Sequence, residues 1–320
     1  MFSLELGLSV VSSVGMILGL PKRGLGITKK RGLYFMKIYS DPKCLTYHTQ
    51  GHPERPTRVV ATVAWLKERQ PDWTWEPFEL ASDLSLLRVH PRSHLDRLQE
   101  ERAFDADTAF HDDIFEIARL GTSSTLAAME SALSGEKAFS LMRPPGHHAE
   151  QTQAMGFCYL NHIAISALEA LETGIEKVAV WDFDAHHGNG TEAILEGVER
   201  ALYVSVHQHP CYPGTGTISR ANARNFPVSP GTLPEVHLEV LAKSWEAILD
   251  FEPGLVLVSA GFDAYELDPL TDMRLRSIDF EALGSWLAEA KIPVAATLEG
   301  GYSDDLPLLV EAFLKGWSRS

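Results

Sequence analysis

The chain has 320 residues, 45% hydrophobic and 22% charged, enough for one large α/β domain with a proper core. A net charge of −15 argues against direct nucleic-acid binding and suits a soluble protein that tolerates cationic ligands. Cys44, Cys158 and Cys211 supply no CxxC pair and no disulfide framework, so a cytoplasmic location is expected.

Residues 1–35 stand apart from the rest. The stretch 1–20 is apolar and Gly-rich with a charge at Glu5, and Pro21-Lys22-Arg23 and Lys29-Lys30-Arg31 follow it. A signal peptide would put its positive charges first. The run reads as a weak membrane anchor, a transit-like extension, or translation from a start upstream of the real one. The last is favoured because Met36 opens a clean strand, so residues 36–320 are taken as the main domain and no firm membrane association is expected.

After the strand at 36–39, His52-Pro53-Glu54-Arg55-Pro56 leads into a helical pattern over 55–69. An acidic run, Asp105-Ala106-Asp107-Thr108, precedes the next helix at 114–134. A strand beginning near Ala138 runs into Arg143-Pro144-Pro145-Gly146-His147-His148-Ala149, where proline fixes φ and glycine allows close approach. Gly156-Phe157-Cys158-Tyr159-Leu160-Asn161 then opens a helix over 161–172. The apolar strand from Lys177 ends in Trp181-Asp182-Phe183-Asp184-Ala185-His186-His187-Gly188-Asn189-Gly190, and a short helix covers 190–195.

A strand from Ala201 contains Tyr203-Val204-Ser205-Val206-His207, and Cys211-Tyr212-Pro213-Gly214-Thr215-Gly216 lies beyond it. A helix over 234–250 precedes the strand Leu255-Val256-Leu257-Val258-Ser259-Ala260-Gly261-Phe262-Asp263, which is followed by Asp268-Pro269-Leu270. Past a helix at 280–290, a strand from Ile292 ends in Thr297-Leu298-Glu299-Gly300-Gly301-Tyr302, and a last helix covers 306–315. There is no internal repeat and no low-complexity segment. This alternation predicts a single α/β domain, a mainly parallel central sheet with helices on both faces, and a site at the carboxyl ends of the strands.

Chemistry gathers at those ends. A strand alternates its faces, so Asp182, Asp184 and His186 are expected to point the same way. Two carboxylates and an imidazole cannot stay unpaired in a core, and a metal ion is the simplest compensation. The bland alternative, a solvated acidic loop, is disfavoured by Gly188 and Gly190, which place the run at a tight strand-to-helix turn.

These runs together, in order from about Met36 to near the C-terminus, resemble the zinc-dependent histone deacetylase family, which includes bacterial acetoin-utilisation proteins and acetylpolyamine amidohydrolases. The resemblance implies that Asp184, His186 and Asp263 ligate one catalytic Zn²⁺, although two carboxylates and an imidazole also admit Fe²⁺. It implies that His147 and His148 are the acid–base pair, that Tyr302 donates to the substrate carbonyl, and that Asp182 orients His147. Asn189 stands where many nuclear members carry an aspartate facing the second histidine, and its run His186-His187-Gly188-Asn189-Gly190-Thr191 resembles the class II and bacterial branch instead. Gly156, Phe157, Tyr212, Leu270 and Gly301 fall at channel positions, and Asp107 at a rim position. Asp182 and Ser205 match a structural K⁺ site.

The activity implied is hydrolysis of an N-acetyl (acyl) amide, foremost acetyl-lysine in a protein. The alternative is a small acetylated amine, as in acetylpolyamine deacetylation. Leu270 leans against polyamines, because the polyamine-selective eukaryotic branch has glutamate there. A ureohydrolase would need an Asp-x-His-x-Asp pattern that is missing, and a silent acyl-lysine reader would have lost a ligand or Tyr302. Either His147 or His148 can serve as the base, and a protein or a small acetylated amine can be the substrate.

Overall fold

A computed structural model describes residues 36–319, so the expectations for residues 1–35 lie outside the described residues. The chain opens on β1 (Met36–Tyr39), a short 3₁₀ turn (Pro42–Leu45) and α1 (Thr57–Arg69). It continues through β2 (Thr74–Glu76), two short helices α2 (Asp83–Leu87) and α3 (Arg92–Arg97), the long α4 (Ile114–Leu133) and β3 (Lys137–Ser140). Then come α5 (His162–Glu172), β4 (Val178–Asp182), α6 (Asn189–Leu195), β5 (Ala201–Gln208) and β6 (Ala223–Val228). The last part holds α7 (Pro234–Asp250), β7 (Leu255–Ala260), α8 (Ser277–Glu289), β8 (Val294–Leu298) and α9 (Leu306–Ser318).

The eight strands form one sheet in the order β2-β1-β3-β8-β7-β4-β5-β6, and every pair is parallel. All residues of β4, β5, β7 and β8 are buried, as expected of strands covered on both faces. Their Val, Leu and Ala content is the continuous apolar signal that made them legible. The two strands that sequence does not reveal, β2 and β6, are the sheet edges, where burial is incomplete and the apolar run is broken. β6 even carries Pro227, which an edge strand tolerates because one side of its backbone needs no ladder bond.

Helix boundaries shift for local reasons. α8 starts at Ser277 because the Arg276 backbone N–H donates to the Asp279 carboxylate in a capping box. α9 runs on to Ser318, carrying Phe313 and Trp317 into the core. No helix among the described residues is long and apolar enough to cross a membrane.

What positions the site is the centre of the sheet. Register sets Asp182 beside Ser205 on one side and Ser259 on the other, and Ser259 beside Thr297. The carboxyl ends of four adjacent strands are therefore level, and the loops that leave them converge.

Candidate active site

β4 ends at Asp182, so Asp184 and His186 lie on the following loop and strand alternation does not orient them. Carboxylates shape that loop instead. Asp182 Oδ1 accepts from the Asp184 backbone N–H (3.2 Å), Asp184 Oδ1 from that of His186 (2.8 Å) and Asp263 Oδ1 from that of Ala185 (2.8 Å). Asp184 Oδ2 takes the Gly300 N–H at 2.7 Å, tying in the loop after β8. With these bonds made, the inward faces of Asp184, His186 and Asp263 are left facing one another. Their donor atoms lie within 4.8 Å of each other, and all three residues are buried. His186 Nδ1 is 2.9 Å from Asp263 Oδ2 and 3.2 Å from Asp184 Oδ1.

Two buried carboxylates aimed at one point require positive charge there. Burial and the facing Asp184 push the Asp263 carboxyl up, the strain that a cation would relieve. Gly261 and Gly300 complete the cradle, because a Cβ at either would collide with the Asp184 or Asp263 carboxylate. An O,N,O set with room for further ligands fits a divalent metal ion.

Beside the cluster, His147 and His148 stand with ring centroids 4.1 Å apart, and their surroundings differ. His147 Nδ1 is 3.0 Å from Asp182 Oδ2, and its Nε2 is 3.9 Å from Asp184 Oδ1. Burial opposes a charge on His147, but Asp182, Asp184 and Glu299 outweigh it and hold the ring up at about 10. His148 Nδ1 meets the neutral amide oxygen of Asn189 at 2.9 Å. Burial, then His147 and His186, push His148 down.

The pocket above this floor has a volume of about 300 Å³. His148, His186 and Tyr302 line its base, Phe157, Tyr212, Cys211 and Leu270 its walls, and Asp105 and Asp107 its mouth. Tyr302 is buried, its backbone N–H bound to Asp268 Oδ2 at 2.7 Å and its ring stacked on the Arg58 guanidinium 4.6 Å away. Tyr212 meets His148 edge-on at 5.1 Å, and Phe157 meets Tyr302 at 5.8 Å. A larger cavity of 590 Å³ lies against β1 and α4, lined by Lys37, Tyr39 and Glu130, and holds none of these groups.

The pattern described as the histone deacetylase domain matches residues 52–316. The chain belongs to the histone deacetylase family. It is 38% identical over 247 residues to a histone deacetylase-like amidohydrolase of Pseudomonas aeruginosa, covering 70% of this chain and 65% of that protein. It is 34% identical over 224 residues to the acetylpolyamine amidohydrolase of Mycoplana ramosa, covering 66% of this chain and 65% of that one. The crystal structure of the HDA15 HD domain superposes with a TM-score of 0.82 at 30% identity, over 87% of this chain and 90% of that one.

Within this family member, the structure brings Asp184, His186, Asp263, His147, His148, Asp182, Asn189 and Tyr302 into one cluster. Gly156 passes so close to His148 that a Cβ would overlap the ring, at φ +56°; Phe157 follows with φ +69°. The loop carrying them is held from outside, Gly156 N–H on Asp105 Oδ2 (3.3 Å) and Phe157 N–H on Thr108 Oγ1 (3.0 Å). Asp105 thus anchors the wall, while Asp107 stays exposed at the mouth with its carboxylate free of that task.

One channel position sits differently, and Ser205 has a partner of its own. Gly301 does not line the pocket; at φ +113° it makes the turn behind Tyr302, and its carbonyl accepts from Arg58 Nε at 2.6 Å. Ser205 is level with Asp182, but its hydroxyl is bonded to His207 Nδ1 at 2.8 Å, and Asp182 Oδ2 takes the Tyr203 hydroxyl at 2.9 Å.

Sequence reasoning misses the support behind the cluster. Glu299, buried and pushed up to about 7 by burial, accepts from Gly146 N–H (2.6 Å) and His147 N–H (3.2 Å), fixing the histidine loop. Arg143, fully buried, meets Glu54 through Nε (2.7 Å) and Nη2 (2.6 Å), and Arg58 joins the same carboxylate at 3.3 Å. The signals were a glutamate closing an apolar strand and a charged Glu-Arg run before a helix, both of which also describe ordinary surface positions.

Proposed function

We propose that this protein hydrolyses N-acyl amides, foremost the acetyl amide of a lysine side chain, with one divalent ion, Zn²⁺, held by Asp184, His186 and Asp263. The observation that carries the reading is the meeting of that cluster, two histidines with unlike partners, and Tyr302 at the base of one narrow pocket. When bound, the metal supplies Lewis acidity to the acyl carbonyl and to a water molecule.

The chain's own groups do the rest. His148, paired with a neutral amide, takes the proton from water as it adds to the carbonyl carbon, and returns it to the departing amine. His147, on the Asp182 carboxylate, stays cationic and favours the negative charge that develops beside it. The Tyr302 hydroxyl, kept protonated by burial, donates to the carbonyl oxygen as it becomes an oxyanion. Phe157 and Tyr212 flank an apolar stem, and the pocket volume suits one unbranched chain. The products are a free amine and acetate, which balances addition of one water.

A K⁺ beside Asp182 and Ser205 would brace the ligand loop from behind, a supporting function. A cytoplasmic location fits the three free cysteines. The second reading, a small acetylated amine as substrate, is favoured by the likeness to acetylpolyamine amidohydrolase and by Asp105 and Asp107 at the mouth, which would attract a further ammonium. The deciding experiment compares acyl-lysine peptides with acetylpolyamines on the metal-loaded protein. Turnover of neither would remove the hydrolase reading.

A further inference from the structure

The partner of His148 is an amide, and an amide has two faces. If Asn189 presents its oxygen, His148 must donate from Nδ1, and a neutral ring then carries its lone pair on Nε2. If it presents its NH₂, the tautomer reverses and Nε2 bears the proton. Nothing about Asn189 alone chooses between these.

What chooses lies on the other side. Asn189 Nδ2 is 2.9 Å from Glu150 Oε1 and 3.5 Å from Met155 Sδ. A carboxylate and a thioether only accept, so that side of the amide must be the NH₂. Glu150 is the strong member of the two. Glu150 and Asn189 line a separate cavity of about 340 Å³, with His187, Glu192 and Arg220, and Glu150 is absent from the lining of the substrate pocket.

We infer that Glu150 is a positioning residue which, through Asn189, locks His148 in the Nδ1–H tautomer and so keeps Nε2 available as the proton acceptor. The carboxylate thus acts on the histidine through an intervening amide, Glu150 on Asn189 and Asn189 on His148. The inference rests on the hydrolase reading for its consequence in turnover, but not for the tautomer itself.

The experiment therefore reads both. Histidine-ring ¹⁵N–¹H correlation spectra of the Zn²⁺-loaded protein, with His148→Gln used to assign the signal, should show His148 as the Nδ1–H tautomer. Glu150→Leu removes the strong acceptor and leaves only the sulfur. It should populate the Nε2–H tautomer and lower kcat by about tenfold or more with KM nearly constant, since a misheld imidazole can cost on the order of 10⁴. Glu150→Gln keeps an acceptor oxygen and should retain more turnover than Glu150→Leu.

Asn189→Asp added to Glu150→Leu should restore both tautomer and turnover, because a carboxylate has no NH₂ face to present. Asn189→Asp alone sets two carboxylates against each other and should be worse than the double variant, a coupling that a merely structural role does not produce. Retention of the Nδ1–H tautomer in folded Glu150→Leu, or failure of Asn189→Asp to rescue it, overturns the inference. Wild-type protein that shows the tautomer but hydrolyses no acyl amide would overturn the functional reading and leave the positioning device standing.

Discussion

The floor and the mouth of the pocket are built on opposite principles. Asp184, Asp263 and His147 on the floor are buried and each held by at least one bond from a neighbouring strand end or the loop leaving it: Asp184 by Gly300, Asp263 by Ala185, His147 by Asp182 and Glu299. The mouth comes from loops. Tyr212 is 43% exposed and Leu270 36%, and Asp107 faces water. A floor fixed by the sheet can carry one chemistry with little tolerance, while a mouth on loops can change its substrate without disturbing that chemistry.

The severest break would be to the floor's ligands. Asp184→Ala combined with His186→Ala should reduce turnover to background and metal content from one ion per chain to none, as read by elemental analysis of the folded protein. Full metal content in that variant would remove the ligand assignment.

Next is the support under the floor. Glu54→Ala leaves Arg143 buried without its carboxylate and should destabilise the fold by about 3–5 kcal/mol in chemical denaturation. Burial alone would raise the Glu54 carboxyl, yet Arg143 and Arg58 hold it down at about 2, against an ordinary 4.5. The stability it contributes is therefore complete above pH 4.5 and drains away as pH falls towards 2. Acid titrations of wild type and Glu54→Gln should diverge above that window and converge within it.

Tyr302→Phe removes one donor and keeps the ring on Arg58. Turnover should fall by on the order of 10²–10³, about 3–4 kcal/mol, with substrate binding retained. Unchanged turnover would mean that the carbonyl needs no protein donor.

The smallest effect belongs to the mouth. Leu270→Glu should move the kcat/KM ratio from acetyl-lysine towards acetylspermidine by roughly fivefold, about 1 kcal/mol, since a half-exposed pair is screened. A wild-type preference for acetylspermidine would reverse the reading of this rim.

The same contrast governs what sequence discloses. β4, β7 and β8 announce themselves as apolar runs, and the Asp, His and Tyr that close them follow within a few residues, so the floor is legible from local pattern. The mouth is assembled from 105–107, 156–157, 211–212 and 270, and its pairing is a tertiary fact without a periodicity. Glu299 and Glu54 are invisible for a different reason: a buried carboxylate is spelled like an exposed one, and only its partners, 89 residues away for Glu54 and Arg143, distinguish it. The cause of a meeting could also differ from the one expected. Asp184 and His186 meet through a loop wound on its own carboxylates, not through the pleat of a strand.

The level strand ends have a mechanical consequence. Asp184, Asp263 and Gly300 belong to loops leaving β4, β7 and β8, which lie side by side at the sheet's centre although far apart along the chain. An ion shared by the loops after β4 and β7, with the loop after β8 bonded to Asp184, would act as a cross-link between segments 78 and 116 residues apart along the chain. Chelation should therefore loosen the molecule from its middle. Amide hydrogen exchange would quicken in β4, β7 and β8 first, with β1 and β2 at the rim keeping their native protection.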